Sequence, residues 1–289
     1  MIVYVFPGQG SQRVGMGREL LDTFPNLVEQ ASEVLGYSLR ELCLEDPKQQ
    51  LSETAFTQPA VYTINALAYM KQQQETGRSP DMVAGHSLGE YDALYAAGVF
   101  DFLTGLQLVA KRGALMSKVS GCMAAVIGQT PRQVGRVLAS SSLDGLDIAN
   151  FNSYEQTVIA GPKLQIDQAA LLFQSAGARQ FVTLDVSAPF HSRYMRVVEQ
   201  GFEEYLNDFT FAPPRLPVIS NYLAVPYRPN GISQTLARQI SSPVRWIESV
   251  EHMFREGASE IIEIGVGHVL TSLIRQIGTS SAFDTQSLA

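Results

Sequence analysis

"DMVAGHSLGEYDALYAAG", residues 81–98, decides the fold. Asp81 to Gly85 is a short apolar run that reads as a buried strand. Leu88 to Ala97 is a helix-forming run, and only His86 and Ser87 stand between them. A strand that turns into a helix this abruptly is the repeating unit of an α/β layered domain. The turn itself reads Gly85-His86-Ser87-Leu88-Gly89, a G-x-S-x-G pattern. Such a bend holds the serine in a strained backbone conformation with its Oγ clear of the sheet. The following helix turns its free N–H groups and positive dipole end toward the same point. The Leu88 N–H is then a candidate oxyanion donor. Glu90 and Asp92, in the first turn, suit a helix N-terminus by their charge. A glycine-rich turn with a helix-capping serine would satisfy the same residues.

Working outward, strand and helix signals alternate. Ile2 to Phe6 reads as a buried strand ended by Pro7-Gly8. Gly15 to Leu21, Pro25 to Leu35, Pro59 to Gln73 and Phe102 to Ser117 read as helices. The texture then changes. Met123 to Ile127, Arg132 to Ala139, Ile148 to Asn150, Thr157 to Ile159, Ile166 to Ala176 and Gln180 to Val186 follow the order β-α-β-β-α-β, the split unit of a ferredoxin-like subdomain. Beyond it come helices at Tyr194 to Leu206, Ile232 to Ile240, Trp246 to Gly257 and Val269 to Ile277, with strands at Val218 to Asn221 and Glu260 to Ile264. The expectation is a large α/β-hydrolase-like domain with a mostly parallel sheet (1–121 and 188–278), carrying an inserted small ferredoxin-like subdomain (122–187). Residues 279–289 read as a disordered tail.

A second glycine-rich stretch, "FPGQGSQRVGMG" (6–17), follows the first strand. Neither a P-loop nor a dinucleotide fingerprint fits its spacing. A loop leaving a parallel strand at its C-terminal end can face the crevice where such sheets bind ligands, which makes the Gln9 N–H a second candidate oxyanion donor. A tight connection with no further role fits equally.

A serine nucleophile needs a base, and the chain has four histidines. His86 precedes the serine and should point away from the cleft. His252 shares a helical face with Glu248, Glu251 and Arg255 and reads as solvated. His191, in "VSAPFHSRYM", and His268, in a loop before a helix, both remain candidates, His191 ahead because its loop follows a strand. Arg112 lies on the apolar stripe formed by Leu108, Val109 and Met116. A buried guanidinium costs several kcal/mol unless paired. It can snorkel to water, pair with an internal carboxylate, or wait for an anionic ligand, for which arginine offers two parallel hydrogen bonds.

The totals narrow the class. The 289 residues are 45% hydrophobic and 17% charged, which allows a sizeable core. The net charge of −7 argues against nucleic acid as a partner. Two cysteines, Cys43 and Cys122, at no metal-ligand spacing argue against a disulfide scaffold and for a reducing compartment. No metal set, signal peptide or apolar run of membrane length is legible, so the expectation is a cytoplasmic protein.

Seven segments, in order, resemble the malonyl-CoA:acyl carrier protein transacylases, in particular the free-standing acyltransferases that serve polyketide synthases in trans. They are "FPGQGSQ" (6–12), "TQPA" (57–60), "GHSLGEY" (85–91), "KRGALM" (111–116), "NFNS" (150–153), "PFHS" (189–192) and "SPVRW" (242–246). The resemblance implies malonyl-CoA as substrate, an acyl carrier protein as partner, no cofactor and a working monomer. It implies Ser87 as the acylated nucleophile, His191 as the base, and the Gln9 and Leu88 N–H groups as the oxyanion hole. Arg112 would clamp the malonyl carboxylate, with Gln58 and Met116 beside it. The backbone carbonyl at Gln239, with Asn221 nearby, would orient the histidine. Phe190 would crowd an α-methyl branch. One departure is "SGCMAAV" (120–126) at the subdomain junction, which is shorter and has Cys122 where glycine-rich members of the family have small residues. Lys111, Lys118, Arg179, Arg193 and Arg196 are the basic residues from which a docking patch for an acidic carrier could be built. A hydrolase of the same fold and a non-catalytic docking subunit are the alternatives; Arg112 speaks against the first, which has no use for a carboxylate clamp, and the intact set of Ser87, His191 and Arg112 against the second.

Overall fold

Strand β1 (Ile2–Phe6) is buried on both faces, and its alternation divides the interior. Tyr4 and Phe6 enter one core and Val3 and Val5 another. In the computed structural model, which describes residues 1–280, helices α1 (Arg18–Thr23), α2 (Pro25–Leu35), α3 (Leu39–Leu44) and α4 (Thr54–Thr76) follow. Then come β2 (Met82–Gly85), α5 (Gly89–Ala96) and α6 (Phe102–Met116). The next segment holds β3 (Cys122–Ile127), α7 (Pro131–Ala139), β4 (Asp147–Ser153), β5 (Gln156–Gly161), α8 (Lys163–Ser175) and β6 (Gln180–Thr183). The chain ends with α9 (Arg196–Leu206), β7 (Val218–Ile219), α10 (Ile232–Ser241), α11 (Trp246–Arg255), β8 (Glu260–Glu263) and α12 (Val269–Ser280).

Two sheets result. The first has the order β7-β2-β1-β8, and each of its pairings is parallel. Strands β1, β2 and β7 are apolar runs without polar alternation, as expected of a sheet covered on both sides, while the edge strand β8 is apolar only at Ile261 and Ile262, between Glu260 and Glu263. Helices α4, α5 and α6 cover one face through the larger core, and α11 and α12 cover the other with Trp246, Val250, Leu270 and Ile274. The second sheet, β4-β5-β3-β6, is antiparallel throughout and has the strand order of a ferredoxin-like unit. In β3, Cys122, Ala124 and Val126 face a small core under α7 and α8, while Met123 and Ala125 face the main core. Val244, in "SPVRW", exchanges backbone hydrogen bonds with Ala149 and Phe151 at the edge of this sheet, at 2.8 and 2.9 Å.

Several boundaries depart from the sequence reading. Helix α4 starts at Thr54, five residues before Pro59, so the proline lies within the helix. The Thr57 hydroxyl supports that first turn by donating to Leu51 O (2.6 Å) and Glu53 O (3.0 Å). The six-residue α3 gave no periodic signal long enough to read. Strand β6 ends at Thr183, and Asn221 lies past β7 in a turn. Helix α12 continues through residues 279 and 280, and the rest of the expected tail lies outside the described residues.

Candidate active site

The glycines flanking Ser87 are explained by contact. A Cβ on Gly89 would lie 2.1 Å from Phe6 O, and one on Gly85 would lie 1.9 Å from the Gly89 backbone. The turn therefore packs β1, β2 and α5 against one another at a distance only glycine permits. Ser87 itself has φ 52°, a left-handed conformation costly for a residue with a side chain. Asn221 holds it there: its Oδ1 accepts the Ser87 N–H at 2.6 Å and its Nδ2 donates to Gly85 O at 2.6 Å. A Cβ on Gly8 would meet His86 O at 2.5 Å and Leu88 N at 3.5 Å, so the Pro7–Gln9 backbone runs directly against the elbow.

Ser87 Oγ lies 2.7 Å from His191 Nε2. The imidazole is oriented from behind by its Nδ1–H, which donates to Gln239 O at 2.9 Å, so Nε2 is the acceptor. No aspartate is needed for that tautomer. His191 also has positive φ (58°), so Ser87 and His191 are both held in strained backbone. Burial, and secondarily the Arg112 charge, pull its pKa down to about 3, so the ring is neutral near pH 7.

Arg112 is 1% exposed and does not snorkel. Its Nη1 donates to Gln58 Oε1 at 2.8 Å. Its Nη2 donates to Gln239 Oε1 at 2.9 Å and to Ser87 Oγ at 3.2 Å. The guanidinium carbon lies 5.5 Å from the centre of the Tyr91 ring. Gln58 Nε2 points at Met116 Sδ, 3.6 Å away. These partners are neutral, so the cation reaches the nucleophile without touching a carboxylate. Such a cation is set for an anion that arrives with the substrate.

The structure therefore brings Ser87, His191, Arg112, Gln58, Met116, Gln239 and Asn221 together, with the Gln9 loop alongside. Phe190 is buried in the main core next to His191 and lines neither cleft described below. The other histidines stand apart. His86 Nε2 lies 2.9 Å from Asn152 Oδ1, its ring edge is against Trp246, and it lines a cleft rather than turning from one. His252 is half-buried rather than solvated, and His268 is exposed. Glu90 and Asp92, read as complements to a helix dipole, are fully buried. Asp92 bonds Asn65 at 3.0 Å, and Asn65 in turn donates to Pro7 O at 2.9 Å, behind the Gln9 loop. Every residue of α5 from Gly89 to Leu94 is buried, a fact that an acid three residues past the serine does not reveal.

Two clefts adjoin the site. One, about 480 Å³, is lined by Pro7 to Gln12, His86, Asn150 and Asn152. The other, about 980 Å³, is lined by His191, Ser192, Arg193, Arg196, Glu199 and Arg238 among others. Of the candidate docking cations, Arg193 and Arg196 line this groove. Arg179 pairs with Glu155, and Lys111 lies over the Tyr205 ring. No group of three His, Cys, Asp or Glu side chains among the described residues is placed to hold a metal.

A strained serine at a strand–helix elbow, a buried imidazole at hydrogen-bond distance and a desolvated cation define a serine acyl-transfer site. The chain belongs to the acyl transferase domain family, whose model matches residues 3–288. It is 52% identical over 279 residues to a polyketide biosynthesis malonyl CoA-acyl carrier protein transacylase of Bacillus subtilis, covering 96% of this chain and 97% of the relative. The crystal structure of a malonyl CoA-acyl carrier protein transacylase from Burkholderia pseudomallei superposes with a TM-score of 0.94 at 46% identity, covering 97% of this chain and 99% of that one. A malonyl transacylase solved in complex with a type II polyketide synthase acyl carrier protein superposes with a TM-score of 0.92 at 35% identity, covering 99% and 94%.

Proposed function

We propose that the protein transfers a malonyl group from malonyl-CoA, through an acyl-serine, to the phosphopantetheine thiol of an acyl carrier protein, acting in trans for a polyketide synthase. The observation that carries this reading is the placement of Arg112: a buried guanidinium with Nη2 3.2 Å from the nucleophile's oxygen. A short diacid esterified at Ser87 puts its free carboxylate within reach of that cation. An unbranched monoacid gives it nothing to hold.

His191 Nε2 takes the Ser87 proton as Oγ attacks the thioester carbonyl. The resulting oxyanion sits at the Gln9 and Leu88 N–H groups, next to the positive end of α5. The C–S bond breaks, and CoA leaves with the proton returned from His191. In the second half, His191 takes the proton of the carrier's thiol, the thiolate attacks the ester carbonyl, the C–Oγ bond breaks, and His191 returns the proton to Ser87 Oγ. Gln239 O keeps the imidazole in the tautomer both halves need. Phe190 lines neither cleft but stands next to His191 in the chain, and we assign it the exclusion of an α-methyl branch on that adjacency and the family resemblance alone, a discrimination worth about 1–3 kcal/mol. The working unit is read as a monomer of two bodies, 1–121 with 188–278, and 122–187, in the cytoplasm. No helix among the described residues is long and apolar enough to cross a membrane.

Intact mass after brief mixing with malonyl-, methylmalonyl- and acetyl-CoA tests the reading. The expected result is a malonyl adduct on Ser87 that dominates the other two and is chased off by a carrier protein faster than by water. An adduct that only water removes makes the protein a hydrolase, and no adduct at all removes the enzymatic reading.

A further inference from the structure

Behind Gln239 stands a carboxylate with no part in the steps above. Glu90 is fully buried in the first turn of α5, three residues past the nucleophile. A carboxyl group taken out of water must find hydrogen bonds. Its Oε2 accepts from the Asn221 backbone N–H at 3.1 Å and from Gln239 Nε2 at 3.0 Å, and its Oε1 accepts from the Tyr227 hydroxyl. Burial pushes its pKa up to about 7 against the pull of these bonds and of Arg112. What this place demands of Glu90 is therefore an acceptor oxygen at a fixed point.

The Gln239 amide shows why. Turned by 180°, an amide keeps its shape and exchanges a donor for an acceptor. Here its NH2 lies between two acceptors, Ser87 O at 2.7 Å and Glu90 Oε2, which leaves Oε1 to receive Arg112 Nη2. In the opposite sense the NH2 would face a guanidinium that can only donate, and the oxygen would face two other oxygens.

The geometry points to Glu90 as a positioning residue for the carboxylate clamp: it fixes the sense of the Gln239 amide, and that amide holds Arg112 at Ser87. This rests on the reading of Arg112 as the clamp for malonyl. Glu90 touches no substrate atom. It acts through Gln239, so its loss should fall on acyl groups bearing a carboxylate.

Two variants separate reach from charge. Glu90→Gln keeps the reach. Its amide oxygen is drawn toward the Asn221 N–H and the Gln239 NH2, and the Tyr227 hydroxyl can turn to accept from the new NH2. Glu90→Asp keeps the acid but falls one methylene short of Gln239. The readout is the ratio of kcat/KM for malonyl-CoA to that for acetyl-CoA, in which the shared dependence on His191 cancels. Losing one buried hydrogen bond to a charged group, the ratio should fall about tenfold or more in Glu90→Asp, mostly through malonyl KM, and stay within about threefold of wild type in Glu90→Gln. Equal loss of malonyl and acetyl turnover in Glu90→Asp overturns the proposal, as does a ratio kept by Asp and lost by Gln. Should Glu90→Asp fail to fold, Gln239→Leu decides, because a ratio unchanged there removes the amide from the clamp. A wild-type protein that takes no malonyl at all fails earlier, at the functional reading itself.

Discussion

Two regions of opposite character meet at His191. On one side is the buried knot of Ser87, Arg112, Gln58, Gln239, Asn221 and Glu90, whose side chains are hydrogen-bonded to one another, with Arg112 Nε the buried polar atom of the group that lacks a partner. On the other is the open groove, where Arg193 pairs with Asp147 and Arg238 with Glu199, both arginines more than half exposed. Their arginine heads stand in solvent, where an arriving group can compete for them, although Asp147 and Glu199 are only 19% and 13% exposed. Groups in the knot cannot move without leaving a buried atom unpaired, which costs about 1–3 kcal/mol each. The knot therefore suits bond making, which needs fixed atoms, and the groove suits a partner that comes and goes. Substitutions in the knot should change what is transferred and how fast, and substitutions in the groove only how well the acceptor docks.

The harshest way to break this contrast is His191→Ala. It removes the group that, among the described residues, is placed to accept the Ser87 proton, and should lower malonyl transfer about 10⁴–10⁶-fold. Thermal unfolding should show a folded protein, and stopped-flow loading should show no acyl burst. A loss under about tenfold would mean that another base serves Ser87.

Next is Arg112→Ala. Malonyl-CoA turnover should drop about 10²–10³-fold, the worth of a desolvated charge pair, while acetyl-CoA turnover changes far less. The same variant carries a pH prediction. In the folded protein His191 is held down to about 3, first by burial and second by the Arg112 charge. The base is therefore already deprotonated across the neutral range, and the wild-type kcat/KM for acetyl-CoA should lose activity only well below pH 6. Removing the guanidinium takes away one of the forces lowering the pKa, so the acid limb must move toward higher pH. A limb that stays put, or moves down, contradicts the assigned coupling. The same depression sets a stability sign: a His that stays neutral when folded and charges when unfolded costs stability as pH falls through about 6.5.

How much of this could be read in advance differs between the two regions. The elbow is local: strand, glycine, serine, glycine and helix lie within a dozen residues, so the parallel sheet and the strained turn at Ser87 were legible. Arg112 was legible because a charge on an apolar stripe is a visible contradiction. Its partner was not, since Gln239 lies 127 residues away. From residue pattern alone His191 could be ranked over His268 but not fixed, because the Ser87 contact spans 104 residues; the family resemblance singled it out. Glu90 was read only as a complement to the helix N-terminus, because a first-turn glutamate looks the same whether it faces water or Tyr227. Only the return of the loop after β7 and of α10, 131 to 149 residues on, encloses it. The start of α4 was missed because proline is expected at a helix's first turn, and here the Thr57 hydroxyl supports a turn that precedes it.

The smallest expected effect belongs to the groove. Arg196 lines it beside His191 and stands outside the ion pairs found among the described residues. An acyl carrier protein, if it docks here, meets this cation before its arm reaches Ser87. Arg196→Glu should raise the KM for the carrier about 3–10-fold at low ionic strength, and added salt should shrink the difference, as for any exposed charge screened within about 10 Å. Loading from the malonyl thioester of N-acetylcysteamine, which has neither nucleotide nor carrier, should not change. A variant that slows this small thioester as much as the carrier would mean that the groove belongs to the chemistry, and the division at His191 would have to be redrawn.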